Sequence, residues 1–213
     1  MNLSEAKKKV VGKRQATLIA LMAFCLFLVP SFLRAEVMED ESGFYLGLGL
    51  AGTSFDTDLN SPTFNIKEAG GAAQLSVGYR FNPVFMIELA AIGSNHETSD
   101  TTIDAGISTI QLFGYYRFLS EKSFRPYFKG GLAGYALRLD YGSASAKMSG
   151  GGIAFGAGFR CFLSRRFSLG FDVTHNMISY DKEKVSIGQF SYEANTDVYG
   201  RLTTLGIIAG YSF

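Results

Sequence analysis

The chain ends in the stretch Leu-Gly-Ile-Ile-Ala-Gly-Tyr-Ser-Phe, residues 205–213, which decides its fold. Every second side chain is apolar, and the side chains between are mostly small: the apolar set is Leu205, Ile207, Ala209, Tyr211 and Phe213. Soluble proteins seldom leave such a strand at an open edge, because it pairs with other chains and aggregates. In a closed transmembrane barrel one face contacts lipid, the other faces a polar interior, and no edge remains.

Seven earlier segments alternate with the same period of two residues. They are residues 43–53, 71–81, 84–93, 108–118, 125–139, 151–162 and 167–177. Each is close to the ~10 residues that a tilted membrane strand needs. We therefore predict an all-β fold, an eight-stranded antiparallel transmembrane up-and-down β-barrel in which the last strand closes onto residues 43–53. A lipocalin-like barrel or a β-sandwich is the soluble alternative, and it would need apolar residues inside.

The connections between these segments alternate in length. Four are long and polar, at residues 54–70, 94–107, 140–150 and 178–200, and this assignment places His96 in a polar loop. The other three are short, at Asn82-Pro83, 119–124 and 163–166. Long external loops and short periplasmic turns are typical of such barrels, and we expect the aromatic residues near the short turns to form an interfacial girdle.

Residues 1–35 are typical of a cleavable signal peptide. Lysines and arginines between Lys7 and Arg14 precede an apolar stretch at residues 16–30, which is shorter than the roughly 20 residues of a membrane-spanning helix. An uncleaved anchor is the alternative. We predict a signal peptide at residues 1–35, a barrel domain at residues 36–213, and export to the outer membrane of a Gram-negative bacterium.

The charge of the chain changes when the leader is removed. The leader holds six of the 20 Lys and Arg and one of the 19 Asp and Glu, so the mature chain has 14 basic and 18 acidic residues, a formal charge of −4. No basic block remains that would bind nucleic acid. Cys161 is the only cysteine after the leader, so the mature chain cannot form an internal disulfide.

Several of these features together resemble one family. They are the leader, the strand rhythm, Arg125-Pro126-Tyr127, the stretch Phe167-Ser-Leu-Gly-Phe-Asp172 and the terminal Phe213. The mature chain resembles the OmpA-type, opacity-protein-like family of eight-stranded outer-membrane barrels, as a barrel domain alone. The resemblance implies that the alternating residues 205–213 are an assembly signature recognised by the barrel-assembly machinery, and that outer-membrane lipids and lipopolysaccharide surround the protein.

Six charged side chains are predicted to face the barrel interior. They are Arg80, Glu88, Arg117, Lys129, Arg160 and Asp172. An eight-stranded barrel is just wide enough for side chains to fill it, and charges in such a space need partners. If Arg80 lies opposite Met86, then Glu88 is on its diagonal and within reach. The interpretation is a polar and ionic plug, and the alternative is a narrow gated pore, because four bases face two acids.

No motif in the chain indicates catalysis. Residues 47–52 match G-x-G-x-x-G, but no helix follows, so we expect no dinucleotide cofactor. His175 and Ser179 are spaced unlike the His-x-Ser-Asn of lipid A deacylases. With two histidines in the chain, we expect no metal site and no enzyme. The predicted role is structural or surface-interacting, with a host or envelope ligand at the loops. The first alternative is a small porin, and the second is a lipid-modifying enzyme that uses His175.

Overall fold

Eight antiparallel strands close into a barrel in the computed structural model, which describes residues 42–57, 66–98, 104–118, 123–141, 144–187 and 190–213. The strands are β1 (Gly43–Thr57), β2 (Ile66–Arg80), β3 (Phe85–Thr98), β4 (Asp104–Arg117), β5 (Phe124–Tyr141), β6 (Ala144–Phe162), β7 (Phe167–Ile187) and β8 (Phe190–Ser212). The predicted signal peptide lies outside the described residues. Within them the structure has no helix long and apolar enough to cross a membrane.

The terminal strand closes the barrel. β8 pairs with β1 from Tyr45 opposite Ser212 to Thr57 opposite Gly200, and every other strand pairs with its neighbours in the sequence. The backbone amide of Phe213 also donates to the carbonyl oxygen of Phe44 at 3.1 Å. The predicted eight-stranded barrel and its closure by the last strand are confirmed.

The outer face of the barrel is apolar and much of the inner face is polar. On β2, Leu75 and Val77 are exposed, whereas the alternating Gln74 and Ser76 are buried. The same alternation is present in the half of each strand nearer the short turns, because successive side chains of a strand point to opposite faces. Since the outer face carries a continuous belt of large exposed apolar side chains, which a soluble barrel would not expose to water, the lipocalin-like alternative is wrong.

The strands extend well beyond the predicted segments at the end opposite the short turns. β7 and β8 stay paired up to Ile187 opposite Phe190, and β5 and β6 up to Tyr141 opposite Ala144. The prediction of long loops at residues 54–70, 94–107, 140–150 and 178–200 is therefore wrong in extent. Antiparallel hydrogen bonding continues beyond the apolar part of the outer face, because polar side chains on a paired strand are readily hydrated. Outward apolar residues do not mark these extensions in the sequence, because the outward side chains there are polar.

The short turns are fixed by polar side chains that accept backbone hydrogen bonds. Between β2 and β3, Asn82 Oδ1 accepts from the amides of Val84 and Phe85 at 2.9 and 2.8 Å. Between β6 and β7, Ser164 Oγ accepts from the amide of Phe167 at 3.1 Å. Such side-chain acceptors favour tight turns.

Aromatic rings form a girdle at the short-turn end of the outer face. Tyr79 contacts both Phe44 and Phe81 edge to face, with centroids 5.1 Å apart in each pair. The remaining contacts of this kind join Phe85, Tyr116, Phe118 and Phe128 and, on the last strands, Phe167, Tyr211 and Phe213. The predicted girdle is present, and it marks one boundary of the membrane-facing surface.

Candidate functional site

Glu88 and Arg160 form an ion pair inside the barrel. Glu88 on β3 is completely buried, and its Oε2 lies 3.1 Å from Nη2 of Arg160 on β6. Tyr115 Oη donates to Glu88 Oε1 at 2.7 Å, and the guanidinium of Arg160 lies 4.1 Å from the ring centroid of Tyr45. Arg80 lies opposite Met86 in the register of β2 and β3, as the sequence analysis supposed, and it donates to Ser212 Oγ at 2.9 Å.

Lys129 and Asp172 form a second buried ion pair. Lys129 Nζ on β5 lies 2.6 Å from Asp172 Oδ2 on β7, and Tyr127 Oη donates to the same oxygen at 3.2 Å. The ammonium also lies 4.6 Å from the ring centroid of Phe113, close enough for a cation–π contact. The two pairs, Glu88–Arg160 and Lys129–Asp172, are called the ion layer below.

Three arginines occupy the interior at the short-turn end. Arg80 and Arg117 were predicted to face inward, and the structure buries both. Arg117 donates to the carbonyl oxygen of Asn82 at 3.1 Å, and Arg125 stacks over the ring of Phe162 at 4.5 Å. The sequence analysis missed Arg125, although its position two and four residues before Tyr127 and Lys129 places it on the same face.

Above the ion layer a network of neutral polar groups crosses the barrel. Asn176 Oδ1 accepts from Gln111 Nε2 at 2.7 Å and from Tyr135 Oη at 2.9 Å. Asn176 Nδ2 donates to the carbonyl oxygen of Leu202 at 2.7 Å. Three side chains from β4, β5 and β7 thus meet at one buried amide.

Much of the half of the interior farther from the short turns is apolar. Its buried side chains pack into one cluster, called the apolar layer: Phe55, Ala105, Ile107, Ala133, Tyr135, Leu137, Leu139, Met148, Ile178, Tyr180 and Leu202. The predicted polar and ionic side chains therefore fill only part of the interior, and apolar side chains fill much of this half. Above the membrane the outside of the barrel meets water, so the apolar side chains of these strand extensions turn inward, as in a soluble core.

His96 lies within β3 and faces the interior. Its ring is buried, contacts Phe55 with centroids 5.9 Å apart, and its Nε2 lies 3.2 Å from Thr53 Oγ1 and 3.3 Å from Ser94 Oγ. The predicted position in a polar loop is wrong, because β3 continues to Thr98. His96 is packed between polar partners inside the barrel and is not on a solvent-facing loop.

The residues of the predicted assembly signature lie on the outer face of β8. Leu205, Ile207 and Phe213 are exposed, and Phe213 contacts the ring of Tyr211 with centroids 5.0 Å apart. Ala209 is also exposed. This row therefore faces lipid along β8, which pairs with the first strand, β1.

The outer wall also holds the second histidine. His175 is half-buried on the outer face of β7, where Nδ1 lies 3.0 Å from Thr203 Oγ1 and the ring contacts Phe155. Among the described residues, no group of three or more His, Cys, Asp and Glu side chains is placed to hold a metal ion.

Comparisons with known proteins identify relatives by fold. A family model for the outer membrane protein beta-barrel domain matches residues 17–213. OprG from Pseudomonas aeruginosa is similar in structure, with 17% identity, a TM-score of 0.58, and coverage of 84% of this chain and 99% of that chain. Neisserial surface protein A is 17% identical with a TM-score of 0.55, and the match covers 79% of this chain and 98% of that chain. Ail, the attachment invasion locus protein of Yersinia pestis, is 16% identical with a TM-score of 0.51, and the match covers 82% of this chain and 100% of that chain. The search of curated proteins finds no match.

Proposed function

The chain belongs to the family of outer membrane protein β-barrel domains, and from this premise we propose that it is a non-conducting surface barrel that binds partners through its outer hairpins. The long hairpins lie outside the cell and the short turns lie in the periplasm, as in other barrels of this kind. Residues 1–35 direct its export, and the barrel-assembly machinery inserts it from the terminal strand.

The filled interior supports a barrel without a permanent pore. The three buried arginines, the ion layer, the amide network and the apolar layer follow one another from the short turns outward. Each buried carboxylate accepts from a cation and from a tyrosine hydroxyl, as a charge in a confined interior requires. Opening a channel would have to break these layers together.

The single observation that carries surface binding is a pair of uncovered aromatic side chains on the longest hairpin. The described parts of this hairpin, residues 181–187 and 190–198, are called the outer hairpin. Phe190 and Tyr192 are 84% and 73% exposed there, at the far end from the aromatic girdle. Large aromatics on a water-facing hairpin have no packing role, and such residues mark interaction sites.

Adhesion of bacteria that display the protein tests this role. A non-adherent laboratory strain carrying the native chain should adhere to surfaces coated with laminin, fibronectin or heparin. The variant F190S/Y192S should lose most of that adhesion, whereas S191A, which changes the exposed residue between them, should keep it. Equal adhesion of the native chain and F190S/Y192S on all three surfaces would contradict the proposal.

Recordings in planar bilayers test the closed interior. We expect the purified native barrel to give no steady openings in the nanosiemens range under conditions in which a 16-stranded porin does. Steady openings whose size changes in the variant R160Q would instead support the alternative of a small porin, because Arg160 lies at the centre of the ion layer.

The proposed role includes no enzymatic activity. His175 Nδ1 lies 3.0 Å from the hydroxyl of Thr203, so a threonine stands where a catalytic pair would have a serine or a carboxylate. Overexpression of the native chain should leave the lipid A and phospholipid composition of the cells unchanged. A change that disappears in the variant H175A would instead support a lipid-modifying enzyme.

A further inference from the structure

We propose that three cations on the outer wall bind the phosphate groups of a phosphorylated glycolipid in the outer leaflet of the membrane. These cations, called the basic row, are Arg138 on β5, Lys147 on β6 and Lys184 on β7. Arg138 lies opposite Lys147, and Lys147 lies opposite Lys184, in the register of the sheet. All three are exposed, and their neighbours Leu137 and Met148 are buried in the apolar layer, so the basic row faces away from the barrel.

The charges of the basic row repel one another. Like charges directly opposite on neighbouring strands destabilise a sheet. Lys147 has a cation opposite it on both sides, and Lys182, also exposed, lies on its diagonal. Among the described residues, Lys147, Lys182 and Lys184 take part in no ion pair. An anion from outside the chain would relieve this repulsion.

The carboxylates near the basic row leave Lys147 without an acid directly opposite it. Asp140 Oδ2 is 2.9 Å from Nε of Arg138, and Glu193 lies opposite Lys184 on β8. Asp181 is exposed beside Lys182, and Glu183 lies opposite the buried Met148. Lys147, at the centre of the basic row, has cations for both of its direct neighbours.

The depth of the basic row matches that of lipid phosphates. A tilted strand crosses the hydrocarbon layer in about 9–11 residues. Counted from Pro126 on the girdle side of β5, that crossing ends near residue 136, and Arg138 is the next outward side chain. Counted from Phe159 on β6, it ends near residue 149, and Lys147 is the next outward side chain. Both cations therefore lie just beyond the hydrocarbon, where headgroup phosphates are found.

The wall between the basic row and the membrane suits a lipid better than a soluble polyanion. Below the basic row the outward side chains are small, with Ser149, Gly151 and Ser179. Next comes a groove of about 400 Å³, which is lined by Ile153 and Met177 and also by Asp56, Tyr199 and Arg201. A ligand that carries both phosphates and acyl chains would contact the cations and the apolar side chains of this groove together, so the geometry selects a phosphorylated glycolipid.

Lipid binding by the folded barrel tests the proposal. The mature protein in phosphatidylcholine nanodiscs is titrated with bisphosphorylated lipid A and with dephosphorylated lipid A, and bound lipid is counted by native mass spectrometry. The variant K147Q/K184Q should bind bisphosphorylated lipid A about tenfold more weakly, and K147R/K184R should bind it as the native chain does. The matched control R165Q/R166Q removes two exposed charges at the β6–β7 turn and should change nothing.

Only variants that keep heat-modifiable gel mobility, and are therefore folded, are compared. The outcomes then distinguish binding of lipid phosphate from binding of a soluble polyanion. Dephosphorylated lipid A should bind the native chain and K147Q/K184Q equally, which would support recognition of phosphate. Equal affinity of both proteins for bisphosphorylated lipid A would overturn the proposal. So would a loss of heparin binding in K147Q/K184Q with lipid A binding unchanged, since the basic row would then serve a soluble polyanion. These results do not depend on adhesion through Phe190 and Tyr192.

Discussion

Lys129 on β5 reaches Asp172 on β7 across the intervening strand β6, and their charged atoms lie 2.6 Å apart. Gly156 and Gly158 make this contact possible. A Cβ on Gly156 would lie 3.0 Å from Lys129 Cε, and a Cβ on Gly158 would lie 2.7 Å from Asp172 Cβ. The small inward residues of β6 therefore leave the space through which the ion layer is formed.

Removing one charge of this pair should destabilise the barrel. The variant D172A leaves the Lys129 ammonium buried without its carboxylate, and we expect the free energy of unfolding to fall by about 3–5 kcal/mol. Urea unfolding in detergent micelles, followed by circular dichroism, measures the change. The double variant K129M/D172A should recover most of the loss, and D140A, which breaks the exposed pair with Arg138, should cost less than about 1 kcal/mol. A loss in D172A no larger than in D140A would contradict this assignment.

A methyl group added at Gly158 should also lower the free energy of unfolding. A Cβ there meets the carbonyl oxygen of Phe171 and the hydroxyl of Tyr127, so the variant G158A should lose about 1–3 kcal/mol of unfolding free energy. The control G134A adds the same methyl group on β5, where nothing lies within 4 Å, and should be neutral or slightly stabilising. The same urea titration compares them, and equal stability of the two variants would refute the close approach.

The amide of Asn176 on β7 is bonded to groups on three other strands, β4, β5 and β8, so its removal should lower the free energy of unfolding. The variant N176A takes away the acceptor of Gln111 and Tyr135 and the donor to Leu202, all within a buried network. We expect a loss of about 2 kcal/mol or more, because buried polar groups are left without partners. Ser179 is exposed on the outer face of the same strand, so S179A should leave the urea midpoint unchanged.

Deletion of Phe213 should impair assembly. The residue adds a backbone hydrogen bond to Phe44 and a ring contact to Tyr211 at the seam between β1 and β8. Outer-membrane fractions should contain less of the heat-modifiable, folded form of the truncated chain. The control F190A removes an equally exposed aromatic ring at the other end of β8 and should assemble normally. Normal levels of the truncated protein would show that the terminal residue is not part of the assembly signature.

The alternation of apolar residues reverses its phase along each long strand. On β5, Phe128 and Leu132 face outward with Lys129 inward, whereas Leu137 and Leu139 farther along face inward with Arg138 outward. The sequence analysis placed both phases of β5 in one segment, residues 125–139, and did not predict that the apolar side chains change face within it. The physical reason is the solvent, since the outer face meets lipid along one part of the strand and water along the next.

What the sequence by itself determined is the number of strands, the face of each within the membrane and the closing role of the last strand. A period of two residues and the demand of lipid for paired backbone leave few other folds. The partners inside the barrel were decided only by the tertiary structure. Glu88 pairs with Arg160, 72 residues away, because the stagger between strands brings β3 and β6 to the same height. Charge and alternation along the chain place both residues on the inner face, but only closure of the ring sets which inward side chains meet.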